Sequence, residues 1–64
     1  MQILRDYVES KKLTQDEFAR LLGKSQGQVS HWLNGTRKPS TPNIILIAEK
    51  TGISTTKLLK AVTS

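Results

Sequence analysis

The sequence contains no cysteine and only one tryptophan, one tyrosine and one phenylalanine among its 64 residues. Without cysteine there is neither a disulfide framework nor a thiolate zinc site, so the fold must rely on packing, and a reducing interior is compatible with it. No apolar run approaches the roughly 20 residues needed to span a bilayer, and no signal-peptide pattern opens the chain, so a cytoplasmic protein without membrane contact is expected. A lone histidine with no cysteine or carboxylate pair beside it gives metal binding and catalysis little support, and no cofactor or small-molecule ligand is expected. The length leaves room for a single domain, residues 1–64, with a small core, since chains of this size bury only about 60% of their unfolded surface.

Acid is the absence that varies along the chain. Asp6, Glu9, Asp16 and Glu17 come early and Glu49 comes late, and between them lies a window without a carboxylate that holds Arg20, Lys24, Arg37 and Lys38. Ten Lys and Arg against five Asp and Glu give a formal net charge of +5. A polyanion approaching the middle of the chain meets only positive or neutral groups.

What is present is helical periodicity, with no convincing strand, repeat, linker or low-complexity tract. The spacing predicts a first amphipathic helix over about Gln2 to Lys11, with Leu4, Tyr7 and Val8 on one face. T-Q-D-E at Thr14 to Glu17 is a capping box, so a second helix runs from Gln15 to Leu22 and stops at Gly23. Asp16 and Glu17 are read there as helix-start residues that complement the dipole. Ser25 and Gln28 repeat the box in S-x-x-Q form, so a third helix is expected from Gln26 to about Asn34, ending at Gly35. Only Gly23 and Lys24 separate the second helix from the Ser25 cap of the third. The stretch GTRKPST reads as an exposed loop. Proline favours the first helical position, which places a fourth helix over Pro42 to Thr51, and Ser54 opens a fifth over about 55–61.

The third helix has an unusual outer face. Val29, Trp32 and Leu33 anchor it to the core, while Gln26, Gly27, Ser30, His31 and Asn34 share the other side. That side avoids the lysine and glutamate that fill most solvated helices, and offers groups that both donate and accept. Glutamine can pair with adenine N6 and N7, serine and histidine can meet several base edges, and glycine lets the backbone come close. Neutral groups of this kind must be matched, whereas charged ones would bind phosphate indiscriminately. The pattern is that of a DNA-reading helix. Gln15, first in the second helix, is placed to favour a phosphate oxygen, and Arg37 and Lys38 to clamp the flanking backbone. Trp32 is assigned to the core, and Lys11 and Lys12 to a solvated helix end.

The run LTQDEFARLLGKSQGQVSHWLNGTRKPS, residues 13 to 40, resembles the Cro and repressor type of helix-turn-helix domain found in phage and bacterial regulators, a likeness that covers about residues 3 to 60. Its strongest elements are L-T-Q, Ala19 and Gly23 around the turn, V-S-x-W, N-G, and P-S before the fourth helix. The resemblance implies an all-α, compact five-helix domain of the lambda-repressor-like class, with the helix-turn-helix at helices 2 and 3, working in the bacterial cytoplasm on the nucleoid. It implies base reading by Gln26, Gly27 and His31 with Ser30 close by, and backbone contacts by Gln15, Asn34 and the Thr36 to Lys38 loop. Lys24 and Ser25, entering the third helix, join the backbone set. Two departures matter. Gly27 removes a side chain from a usual base-reading position, leaving that base to shape, backbone or neighbouring Gln28. Leu46 is apolar where the family shows a polar residue, which marks a contact surface on the fourth helix.

The expected partner is a double-stranded DNA operator, read by a weak homodimer or by a dimer formed on DNA. By resemblance the dimer contact involves Ile53, Thr55, Thr56 and Leu59, with Leu46 a further candidate. The alternative is an antitoxin-like or other protein-interaction module of the same fold, favoured if Ile45, Leu46 and the last helix form a large apolar surface.

Overall fold

In a computed structural model that describes residues 1–63, the chain forms α1 (Gln2–Ser10), α2 (Gln15–Leu22), α3 (Gln26–Asn34), α4 (Thr41–Thr51) and α5 (Thr55–Thr63), with no strand among the described residues. The fold is all-α, as expected. Helix ends differ from the sequence reading by one or two residues, each for a local reason. α1 stops at Ser10, because Lys12 takes a left-handed φ of 56° and the Leu13 amide turns back to the Val8 carbonyl at 2.9 Å. α4 starts at Thr41 rather than Pro42, with Ser40 before it; proline then holds the second helical position, where a missing N–H is equally harmless. α5 runs on to Thr63, whose hydroxyl donates to the Leu59 carbonyl at 3.0 Å.

The two caps flanking the turn form unequally. At Thr14 both halves of the box close, and the Glu17 carboxylate is held below its ordinary pKa chiefly by the hydrogen bond from the Thr14 amide. At Ser25 only the serine half closes: its hydroxyl accepts from the Gln28 amide at 3.2 Å, and the Gln28 side chain makes no return bond. The expected second box is therefore half a box, and Gln28 keeps its amide for something else. Gly23 ends α2 in a left-handed conformation, with its own amide on the Arg20 carbonyl and the Lys24 amide on the Ala19 carbonyl. This pair of bonds reverses the chain within two residues and delivers Ser25 as the next cap.

The core is formed by Leu4, Phe18, Ala19, Leu22, Val29, Trp32, Leu33, Ile44, Ile47 and Leu58, with Tyr7, Val8, Ala48 and Ile53 among the partly buried residues packed around it. α3 rests on α1 and α2, while α4 and α5 pack on each other and close the far side against α2 and α1. Trp32, at 3% exposure, belongs to the core as read from the sequence. The aromatic pair among the described residues is Tyr7 with Phe18, ring centres 5.7 Å apart, so Trp32 fits among aliphatic side chains without stacking.

A tie absent from the sequence reading fixes the end of α3. The α-amino group of Met1 donates to the Trp32 carbonyl at 2.6 Å and to the Leu33 carbonyl at 3.3 Å. Burial, and then the Arg5 guanidinium, push this amine below its ordinary pKa. Two N–H bonds survive in the neutral amine, enough for both carbonyls.

Candidate nucleic-acid interface

The side of α3 turned away from the core is open. Gln26, Gly27, Gln28, His31 and Asn34 are all exposed, and a Cβ added at Gly27 would meet no atom within 4 Å. Ser30 is the exception among the expected reading residues: it is half-buried, and its hydroxyl lies 3.4 Å from the Asn34 side-chain nitrogen. Its position one residue after the buried Val29 turns it partly toward the core side.

Two shallow concavities flank this ridge. One, of about 410 Å³, is lined by Ser25, Gln28, His31 and Trp32 of α3 with its cap, by Arg37 and Lys38 of the loop, and by Ser40 and Asn43 at the start of α4. The other, of about 210 Å³, brings Gln15 together with Asn34 and adds Arg5, Val8, Glu9 and Leu33. The residues expected to hold a backbone thus fall on both sides of those expected to read bases. Ser40, Asn43 and Arg5 were not singled out from the sequence. The first two reach the ridge only because the loop folds back, and Arg5 arrives on a different helix. Thr36 serves inside the protein as well as at its surface, with its hydroxyl 2.8 Å from His31 Nδ1.

The electrostatics are simpler than the charge count implied. Arg20, one of four cations in the acid-free window, is paired with Asp16 at 3.0 Å, in an exposed i,i+4 bridge of little energetic value. Lys24, Arg37 and Lys38 make no ion pair among the described residues. Lys24 is half-buried at the turn, while Arg37 and Lys38 stand exposed beside α3. The loop carrying them is exposed, as its sequence indicates, except at Pro39, which is buried. Its apolar ring has no N–H to satisfy, so it can leave water without cost and peg the loop to the body.

A family model described as helix-turn-helix matches residues 4–58. The chain belongs to this family. No curated protein and no solved structure matches it. Helix-turn-helix proteins of the Cro and repressor type are DNA-binding regulators, and α2, the Gly23 turn and α3 form the motif itself.

The helix-turn-helix domain also exposes apolar side chains away from α3. Ile45 is 49% exposed and Leu59 40%. Leu46, read as marking a contact surface on α4, is half-buried and less open than its neighbour Ile45. α4 packs against both α2 and α5, so cover extends further round it than a single inner face implies. Thr55 and Thr56 are exposed, and Ile53 is half-buried against the core. No helix among the described residues is long and apolar enough to cross a membrane.

Proposed function

We propose that the domain is a sequence-specific transcriptional regulator that lays α3 in the major groove of double-stranded DNA and acts as a Cro-like or repressor-like protein. The observation that carries this reading is the exposed, uncharged face of α3, with Gln26, Gly27, Gln28 and His31 open to solvent and Arg37 and Lys38 beside them. Neutral donors and acceptors discriminate base edges, and the flanking cations supply attraction to any phosphate. Gln26 and His31 read bases, joined by Gln28 and by the bare backbone at Gly27, with Ser30 at the margin. Gln15, Lys24, Ser25, Asn34, Arg37 and Lys38 hold the strands, and Thr36 stands among them with its amide and hydroxyl engaged by His31.

One copy reads one half-site. Its longest extent is 25 Å, shorter than the roughly 34 Å between successive major-groove faces on one side of B-DNA. Two copies related by a twofold axis therefore read a palindrome, paired through Leu59, Thr55, Thr56 and Ile53, with Leu46 nearby on α4. The dimer is weak in solution and completed on DNA.

Selection of bound duplexes from a random pool tests the proposal directly. The expected result is an inverted repeat whose half-sites lie about one helical turn apart. Recovery of unrelated sequences with no shared half-site overturns sequence-specific reading. The same fold serving only as a protein-interaction module then becomes the better account.

A further inference from the structure

The loop after α3 returns a hydroxyl to the histidine of the reading face. Thr36 Oγ1 lies 2.8 Å from His31 Nδ1 and 3.3 Å from the His31 carbonyl oxygen. A hydroxyl has one proton to give. If that proton goes to the carbonyl, the ring must present its own proton at Nδ1. If it goes to Nδ1, the neutral ring carries its proton on Nε2.

The carbonyl is already fully used. It is the oxygen on which the helix closes, and the amides of Thr36 at 3.1 Å and of Arg37 at 3.4 Å point to it, one for each of its two lone pairs, while the Gly35 amide goes to the Trp32 carbonyl at 3.3 Å. Nδ1 has no other partner and stands at the shorter distance. Around the ring, the concavity is lined by Ser25, Gln28, Arg37, Lys38, Ser40 and Asn43, none of them a carboxylate that could draw the ring proton to the other nitrogen.

We propose that Thr36 donates its hydroxyl proton to His31 Nδ1 and holds the neutral ring in the Nε2–H tautomer, which makes His31 a hydrogen-bond donor toward DNA and Thr36 the positioning residue for that choice. The tautomer follows from the geometry of the free protein; its use on DNA rests on the reading of α3 given above. A donor at Nε2 selects acceptors in the major groove: guanine O6 or N7, adenine N7, thymine O4. It rejects the amino groups of cytosine N4 and adenine N6. The opposite tautomer would reverse that preference. Thr36 thereby influences which base is accepted without touching it.

His31 is the only histidine in the chain, so ring-nitrogen NMR reads it without ambiguity. Two-bond nitrogen–proton correlation spectra at about pH 8.5, where an unperturbed imidazole is neutral, are expected to show Nε2 as the protonated nitrogen and Nδ1 as the bare one. In Thr36→Val the two shifts are expected to draw together as the ring samples both tautomers, and Thr36→Ser is expected to restore the separation. A protonated Nδ1 in the unaltered protein overturns the proposal, as does an unaltered spectrum identical to that of Thr36→Val. The spectrum of the unaltered chain decides the tautomer even if the valine variant fails to fold. On the duplex enriched from a random pool, the position facing His31 is expected to present an acceptor. Removing that acceptor, with carbon in place of N7 where a purine is selected, should weaken binding about 3- to 10-fold, the loss of one hydrogen bond. His31→Ala should show no further loss on that altered duplex. Affinity that depends on the amino group of cytosine N4 or adenine N6 at that position, and is unchanged when the acceptor is removed, overturns the donor assignment. A pool that yields no bound duplex removes the DNA reading and with it the role of the donor, while the spectra still settle the tautomer.

Discussion

Thr14 and Glu17 cap one another: the Glu17 amide donates to Thr14 Oγ1 at 3.1 Å, and the Thr14 amide donates to the Glu17 carboxylate at 2.9 Å. The box fixes where α2 begins and so where Gln15 stands. Thr14→Ala should lower stability by about 1 kcal/mol, read as a shift in the urea midpoint with an unchanged slope.

The same box makes stability depend on acid. Hydrogen bonds from Thr14 favour the charged carboxylate and hold its pKa down, whereas in the unfolded chain the group returns to the ordinary glutamate value of about 4.3. The unfolded state therefore takes up the proton first. The contribution of the box is complete above that value and is lost as pH falls through the lower, folded-state value. Melting midpoints of the unaltered chain and of Glu17→Gln should differ near neutrality and converge in acid. A gap that stays constant down to about pH 2.5 would show that the carboxylate contributes no charge-dependent capping.

Trp32→Ala should cost about 3–5 kcal/mol, because the side chain is 3% exposed at the centre of a small core. A domain of this size has only roughly 3–10 kcal/mol to lose. Loss of the cooperative thermal transition is the expected outcome, and an unchanged midpoint would contradict the placement of α3.

Gly27→Ala should separate stability from recognition. A methyl group at this position meets nothing, and alanine restricts the unfolded chain more than glycine does, so the midpoint should rise by the equivalent of about 0.4–1 kcal/mol. If the backbone of α3 approaches a base here, the selected operator should nevertheless bind more weakly. Equal affinity would show that the open space at Gly27 is not used.

Gln26→Ala should lose about 1–3 kcal/mol on the selected operator and almost nothing on random duplex, with specificity relaxed at one position per half-site. Lys38→Ala should weaken both duplexes alike and reduce the salt slope by about one unit per bound subunit. Titrations across salt check the pair, and equal losses on both duplexes for Gln26→Ala would remove it from the base readers.

Leu59→Glu should reduce concentration-dependent association in sedimentation and weaken operator binding without shifting the thermal midpoint, since Leu59 is 40% exposed. Leu46→Glu tests the neighbouring surface of α4. If neither variant changes association or binding, neither side chain takes part in a contact between copies, as single apolar residues at a surface often do not.

Much of the fold was legible because short-range chemistry writes it. The Thr14 box, Gly23 and Gly35 mark helix ends by rules that need only a few neighbouring residues, and Val29, Trp32 and Leu33 declare an inner face by spacing alone. The end of α1 was harder to place, because Lys12 adopts a left-handed conformation that its residue type does not advertise. The Arg20–Asp16 pair follows the i,i+4 rule, and it takes Arg20 out of the free charge that the acid-free window suggests. The site was less legible than the fold. Asn43 and Ser40 reach α3 only after Pro39 is buried, and the contact of Thr36 with His31 depends on how the Gly35 turn aims a hydroxyl five residues away.

The division of α3 into a buried side and an open one bears on how such a protein changes over generations. Val29, Trp32 and Leu33 hold the helix in place, while Gln26, Gln28 and His31 contribute nothing to the core. Replacing an exposed side chain usually alters stability by no more than about 0.5 kcal/mol, so a lineage can move from one target sequence to another by single substitutions, each intermediate still folded. Duplicated copies could diverge in address while sharing one scaffold, and a library randomised at those three positions should retain mostly folded members.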